Sequence, residues 1–166
     1  MNQTLVIIKP DGVERGLVGE ILGRLERKGL RFVAVELRTL DDDTAAQHYA
    51  EHVGRDYYEN LVRFITSGPV LVVVVEGPPD TWQVVRTMMG TTNPLESAPG
   101  TIRGDLATVM AHNLIHGSDS AESARREIAI FFPQLVSYRR LVGDHVLALA
   151  LQREEASAAS IKGFYG

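Results

Sequence analysis

Residues 70–75 read VLVVVV, six apolar residues of which five are β-branched. The run is far too short to cross a bilayer, which takes about 20 apolar residues as a helix. Branching at Cβ favours extended backbone. No polar residue alternates within the run, so a strand built from it has both faces covered. The chain must therefore place apolar layers on both sides of at least one central strand. Ser67-Gly68-Pro69 punctuates its start, and the spacing predicts a strand over 70–76.

The neighbouring segments supply candidates for those layers. TLVII at 4–8 is a second β-rich run, stopped by KPDG, a turn signal. Leu17, Val18, Leu22 and Leu25 fall close to helical spacing, and Gly29 closes that segment. Residues 30–40 alternate through Phe32, Ala34, Glu36 and Arg38, as a strand does. Asp43-Thr44 is expected to cap a helix over 45–51. Tyr57, Leu61, Phe64 and Ile65 predict another helix, and 81–89 a third, ended by Gly90. TTNPLESAPGTI then shows no regular pattern and is rich in turn formers. Residues 113–116 read as a short strand. Asp119-Ser-Ala-Glu122 matches a capping box, followed by an apolar stripe of Ala121, Ala124, Ile128 and Phe131. The order β-α-β-αα-β-α-β-α contains two βαβ-like units. It predicts an α/β (α+β) chain with a ferredoxin-like βαββαβ sandwich, a four-stranded antiparallel sheet with helices packed on one face. From Pro133 the pattern is weaker. LALAL at 147–151 reads as strand or helix, and REEASAAS at 153–160 as a solvated helix or linker.

Composition bounds the function. A chain of 166 residues is the length of a single domain, and 17 basic against 21 acidic residues give a net charge of −4. That balance argues against broad nucleic-acid or membrane-surface binding. The absence of cysteine excludes disulfides, thiolate zinc sites and thiol nucleophiles, and fits a reducing compartment. MNQTLVIIKPDG has no basic n-region or long apolar run, so no signal peptide is expected. Neither GxxxxGK[ST] nor any G-x-G spacing occurs. A nucleotide would have to be held by side-chain cations and isolated amides. Lys9, Arg86 and Arg103 are the candidates; any one arginine alone reads as a solvated surface group, whereas Lys9 stands where a strand ends.

The histidines divide. His48 and His52 are four residues apart, as are His112 and His116. Neither pair has the glutamate of HExxH, and the second lies in strand and loop, so zinc is disfavoured for both. His145 reads as an ordinary histidine. His116 sits in NLIHGSDS. Gly117 permits a tight turn, and Ser118 and Asp119 can cap the next helix. The positive end of that helix discourages protonation of a nearby imidazole. Glu127, two helical turns on, could orient the ring. These groups suit phosphoryl transfer. A histidine that merely satisfies hydrogen bonds at a strand end explains the same residues equally well.

NLIHGSDSAESARREI strongly resembles the active-site segment of nucleoside diphosphate kinases, and TLVIIKPDGVERGLVGEIL resembles their N-terminus. HYAEH, SGPV and TNPLESAPGTIRGD follow in the same order. The resemblance covers about 1–132, which delimits a kinase-like domain, and leaves 133–166 as a C-terminal extension that could take part in subunit contacts. It implies ping-pong transfer of a γ-phosphate between nucleoside tri- and diphosphates through a phosphohistidine on His116. Lys9 and Asn113 would hold the ribose hydroxyls, with Lys9 also near the transferred phosphate. Arg86, Thr92 and Arg103 would bind phosphate oxygens, and Tyr49 and Glu127 would shape the site around His116. Tyr57 would stack on the base, a base-tolerant contact because every base has a π face. Mg²⁺ would arrive with the nucleotide, without an all-protein cage. The resemblance also implies a cytoplasmic homo-oligomer, hexamer or tetramer, with the loop after Asn93-Pro94 resembling a subunit-contact loop. Departures are Tyr57 in place of phenylalanine, one extra residue between Gly77 and Arg86, His112 in place of arginine, Met110 in place of a small apolar residue, and the replaced C-terminus. Two other classes stand beside the kinase: a catalytically reduced nucleotide-binding regulatory module, and another phosphohistidine enzyme such as a phosphatase or mutase.

Overall fold

The apolar run at 70–75 becomes the inner part of β3 (Pro69–Glu76), which pairs on both sides. A computed structural model describes residues 2–135 of the chain. The other strands are β1 (Gln3–Ile8), β2 (Arg31–Thr39) and β4 (Ile115–Gly117). They form one sheet in the order β2-β3-β1-β4, with every pair antiparallel. The helices are α1 (Pro10–Glu14), α2 (Val18–Arg27), α3 (Asp42–His48), α4 (Tyr58–Ile65), α5 (Thr81–Met89), α6 (Ile102–Leu106) and α7 (Ala121–Phe131). This is the ferredoxin-like α+β arrangement. Residues Met1–Phe131 form one compact unit; the expectations for 147–151, 153–160 and His145 lie outside the described residues.

Helices cover both faces of the sheet, not one. Every residue of β1 is buried, so it is covered above and below. Val6 and Ile8 face the cluster made by Ile21 and Leu25 of α2 and Val85 and Met89 of α5. Leu5 and Ile7 point the other way, where α7 crosses β1. The register puts His116 opposite Ile7, hence on the α7 face. Gly117 lies opposite Val6, beneath α5, and a Cβ there would come within 2.6 Å of Met89 Sδ. Close helix approach, rather than a tight turn, is what demands glycine at that position.

Local capping differs from the expectations in three places. Asp41, not Asp43, caps α3: its carboxylate accepts from Thr44 N at 2.7 Å. Ser120 accepts from Ser123 N at 3.0 Å and begins α7, in place of a box from Asp119 to Glu122. KPDG is not a bare turn, because proline's fixed φ suits a first helical turn and starts α1 there. The patternless stretch after Gly90 hides a 3₁₀ turn at Pro94–Glu96 and then α6, which Thr101 caps through Gly104 N.

The segment before β4 is the least regular and the most constrained. Leu114 has φ of +69°, and Ile115 N donates to Asn113 O at 2.8 Å across it. A two-residue hydrogen bond closing over a positive φ is a γ-turn of the strained kind. Strand β4 therefore starts at Ile115 rather than 113. Strain of this sort persists only where the surroundings over-determine it. Lys9 N donates to Leu114 O at 2.8 Å, and the Asp11 carboxylate accepts from Leu114 N at 3.1 Å. Asp11 is buried, so removing its carboxylate leaves a buried amide unpaired. Asp11→Ala is expected to lose about 1–3 kcal/mol of unfolding free energy in urea titrations, and Asp11→Asn, which keeps an acceptor, distinctly less. A loss below about 0.5 kcal/mol for the alanine variant would show that the turn does not need this contact.

Candidate active site

Lys9 follows the end of β1, and β4, the neighbouring strand, carries His116. Their side chains open into a cavity of about 800 Å³. The histidine's environment follows from the register, which faces its ring toward α7. Glu127 of α7 is only 3% exposed, and its Oε2 lies 3.0 Å from His116 Nε2. Ser118, expected to cap a helix, instead donates its hydroxyl to the same oxygen at 2.7 Å. Burial by itself would raise the carboxyl pKa. The hydrogen bond and charge of the His116 ring, the His48 ring and the Ser118 hydroxyl outweigh it and hold the carboxyl down to about 2. An ionised carboxylate can only accept, so Nε2 carries the hydrogen in this pair, and in the neutral ring the lone pair is left on Nδ1. Among the described residues no protein group hydrogen-bonds Nδ1.

The cationic side of the cavity is built from distant segments. Lys9 Nζ donates to Asn113 Oδ1 at 2.7 Å, and Asn113 Nδ2 donates to Thr92 O at 3.0 Å. Burial first, and then the Arg103 charge, push the Lys9 ammonium down to about 8, with Asp11 opposing. Arg103 is buried on α6. Its guanidinium donates to the carbonyls of Asn113, Ile115, Thr91 and Gly90 at 3.1, 2.6, 3.0 and 3.3 Å. It knits the strained turn to the end of α5 and still lines the cavity. Burial, then Arg86, lower its pKa to about 10, so it stays cationic at neutral pH. Arg86, on α5, also lines the cavity and reaches Gly117 O at 3.4 Å. The extra residue upstream of α5 therefore does not remove it from the wall.

The remaining expected residues join the same space. Thr92 lines it beyond Gly90. Tyr49 follows α3, packs its ring 4.6 Å from His48, and is held up to about 12 by burial and by the Glu127 charge. It makes no hydrogen bond to His116 among the described residues. Tyr57 is 50% exposed at the cavity mouth, with its hydroxyl 3.4 Å from His52 Nδ1. Phe64 of α4 stacks on His112 at 4.9 Å, which joins the α4 side of the cavity to the Met110–His112 side. All nine expected site residues thus line one cavity.

Sequence reasoning missed four groups here. Asp11 gave no signal, because its partner is a backbone amide 103 positions away. Ser118 was read as a cap. Arg126 lines the cavity and pairs with Glu51 at 2.6 Å. His48 was weighed only beside His52, yet it is buried against His116 and Phe131. Its helical spacing from buried Ala45 was the available clue.

Comparison with known proteins fits this geometry. A family model described as "Nucleoside diphosphate kinase" matches residues 2–136. Proteins named nucleoside diphosphate kinase are similar along most of the chain. That of Thermomicrobium roseum is 56% identical, covering 89% of this chain and 99% of its own. That of Mycobacterium avium is 59% identical, covering 80% and 97%. The solved structure of a halophilic nucleoside diphosphate kinase from Halobacterium salinarum in complex with CDP is 49% identical, with a TM-score of 0.76 over 80% of this chain and 88% of that one. A nucleoside diphosphate kinase family protein from Babesia bovis is 46% identical, with a TM-score of 0.77 over the same shares. A four-stranded antiparallel α+β sheet, a carboxylate-bound histidine facing a cationic wall, and likeness over nearly the whole of these relatives lead to one conclusion: the chain belongs to the nucleoside diphosphate kinase family.

Proposed function

We propose that the protein moves the γ-phosphate of a nucleoside triphosphate to a nucleoside diphosphate by way of a phosphohistidine on His116. One observation carries the reading. The buried Glu127 carboxylate holds His116 Nε2–H at 3.0 Å and leaves the Nδ1 lone pair as the nucleophile. In the first half-reaction, Nδ1 attacks the γ-phosphorus. The N–P bond forms as the bond to the β,γ-bridging oxygen breaks, and the diphosphate leaves. The ring gains positive charge, which the Glu127 carboxylate stabilises in place. In the second, a terminal phosphate oxygen of the acceptor attacks phosphorus and the ring becomes neutral again.

Transfer through a loose transition state needs positioning and charge more than bonding partners. Lys9, Arg86 and Arg103 supply cations on one wall of the cavity, Thr92 a hydroxyl, and Asn113 a side-chain amide beside Lys9. Tyr57 offers an exposed ring to a base. Tyr49 packs on His48 in the wall of the same cavity. Mg²⁺ would come in with the substrate phosphates and supply charge neutralisation on their oxygens. The chain's donors suit that division. The one cluster of three candidate ligands among the described residues has a single carboxylate, unlike the oxygen set that Mg²⁺ takes. The same reading includes a homo-oligomer, hexamer or tetramer. Exposed Val35 and Leu37 on edge strand β2 and exposed Leu95 after Asn93-Pro94 support it. It also includes a cytoplasmic location, which the cysteine-free composition supports. Among the described residues no helix is long and apolar enough to cross a membrane. With the nucleophile, its carboxylate and the cations all present, a catalytically reduced regulatory module is not favoured.

Incubation with Mg·ATP labelled at the γ-phosphate is expected to give an acid-labile, alkali-stable phosphoryl group on His116. His116→Ala should take up none and lose on the order of 10⁴-fold or more in transfer, the scale on which loss of a nucleophile acts. A wild-type protein that takes no label and phosphorylates no diphosphate would end the reading.

The lowered Lys9 pKa gives a second expectation. The ammonium is charged below about pH 8 and neutral above it, so its contribution to phosphate binding fades as pH rises through that value. The ratio kcat/KM reports the free enzyme. It should fall about tenfold per pH unit above pH 8 in the wild type, and lie lower without that break in Lys9→Gln. A flat wild-type profile between pH 7.5 and 9.5 would remove Lys9 from the cationic wall.

A further inference from the structure

The buried histidine beside the reactive ring has no part in the transfer just described. His48 ends α3 with 4% of its surface exposed, and among the described residues neither ring nitrogen has a hydrogen-bond partner. Buried polar atoms without partners are uncommon and call for a physical reason. Its ring stands edge-on to that of His116, with centroids 4.6 Å apart and planes at 86°. Its Nδ1 lies 3.9 Å from Glu127 Oε1, while Oε2 of the same carboxylate lies 3.0 Å from His116 Nε2. One ligand atom from each of the three residues lies within 4.8 Å of the other two.

That arrangement is close to a metal's requirements. Zinc bonds of about 2.0–2.2 Å in tetrahedral geometry put ligand atoms roughly 3.3–3.5 Å apart. The carboxylate already stands 3.0 Å from the His116 nitrogen and 3.9 Å from the His48 nitrogen, on either side of that spacing. Two imidazoles and a carboxylate suit Zn²⁺ or Cu²⁺; Mg²⁺ prefers oxygen alone. The cavity gives solvent access for a fourth, water ligand. The carboxylate is steadied by Ser118 at 2.7 Å. The cation facing it, Arg126, stands 3.9 Å from Oε1 and is itself held by Glu51 at 2.6 Å. The pair His48 and His52 is a different set, because the His52 ring turns to the Tyr57 hydroxyl.

We propose that His48, His116 and Glu127 form a binding site for a d-block divalent cation, Zn²⁺ or Cu²⁺, whose occupancy disables His116 as a nucleophile. The chemistry is a change of tautomer. A metal on Nε2 takes that atom's lone pair, and the hydrogen Nε2 carried passes through water to Nδ1. The ring remains neutral and no proton is released. Nδ1 now bears a hydrogen, and the lone pair that would attack phosphorus is gone. Cation binding stands without the kinase reading; the inhibitory consequence rests on it.

The test uses the full chain after EDTA treatment. Calorimetric titration with ZnCl₂, without nucleotide, is expected to give one bound ion per chain. Spin resonance of the Cu²⁺ form should show two ring nitrogens. With ¹⁵N-labelled histidine, Zn²⁺ should move the His48 and His116 ring signals of the wild type, a readout that needs no variant. His48→Phe should weaken Zn²⁺ binding by at least tenfold, since even losing an outer-shell partner costs ~10–100-fold, and His52→Ala should leave it unchanged. Zn²⁺ should also block labelling of His116 by excess Mg·ATP, and EDTA should restore it. Absence of Zn²⁺ binding, unmoved His48 signals, or binding lost in His52→Ala and kept in His48→Phe would overturn the site. Binding that leaves labelling intact would overturn its inhibitory role. Failure of the EDTA-treated wild type to label at all would instead strike the kinase reading and leave the binding result standing.

Discussion

Three consecutive backbone carbonyls, those of Asn113, Leu114 and Ile115, are each held by a donor from outside the turn. Arg103 takes the first and third, and the Lys9 amide takes the middle one. Between them Leu114 stays at a positive φ that a leucine ordinarily avoids. The site's geometry rests on this clamp. It turns the Asn113 side chain toward Lys9 and delivers His116 to β4 in the register that faces α7. A buried arginine is costly to desolvate. Here four carbonyls receive its N–H groups, so the charge stays satisfied while it fixes the turn. Arg103 thus has a structural duty beside the phosphate contact proposed for it.

Electrostatics divide the cavity into two parts. On one side a buried carboxylate stays ionised because His116, His48 and Ser118 surround it. On the other, burial first, and then the charge of Arg103 beside Lys9 and of Arg86 beside Arg103, leave Lys9 and Arg103 each holding its proton less firmly than in water. A chain of net charge −4 therefore presents a locally cationic wall. The strain of like charges close together is relieved when an anion arrives, which makes phosphate the natural counterpart. The His116 ring lies at the boundary, with one nitrogen committed to the carboxylate and the other facing no protein partner among the described residues.

Much of this was legible along the chain. The VLVVVV run required a central strand, and the 81–89 helix has the expected bounds. Nine site residues, several of them singled out only by the family resemblance, line one cavity. The misreadings share a cause. The helix α6 carries Arg103 but is five residues long, too short to show a period, and it begins only at the end of a turn-rich stretch. Caps at Asp41 and Ser120 differ from the expected ones by a residue or two, because several adjacent polar side chains could serve and only the packed helix selects among them.

By itself the sequence determined the alternation of strands and helices, the absence of a glycine-rich phosphate loop or thiol chemistry, and the residue types available for phosphoryl transfer. These follow from side-chain shape and chemistry, which are local. Tertiary structure decided what each of those residues touches. The antiparallel register turned His116 toward α7, where it met the expected Glu127, and only the packing of α3 against α7 brought the buried His48 beside them. Ser118 became a partner of Glu127 rather than a cap, and Asp11 came to hold an amide 103 positions away. Contacts between segments so far apart depend on how layers pack, and no spacing along the chain encodes that.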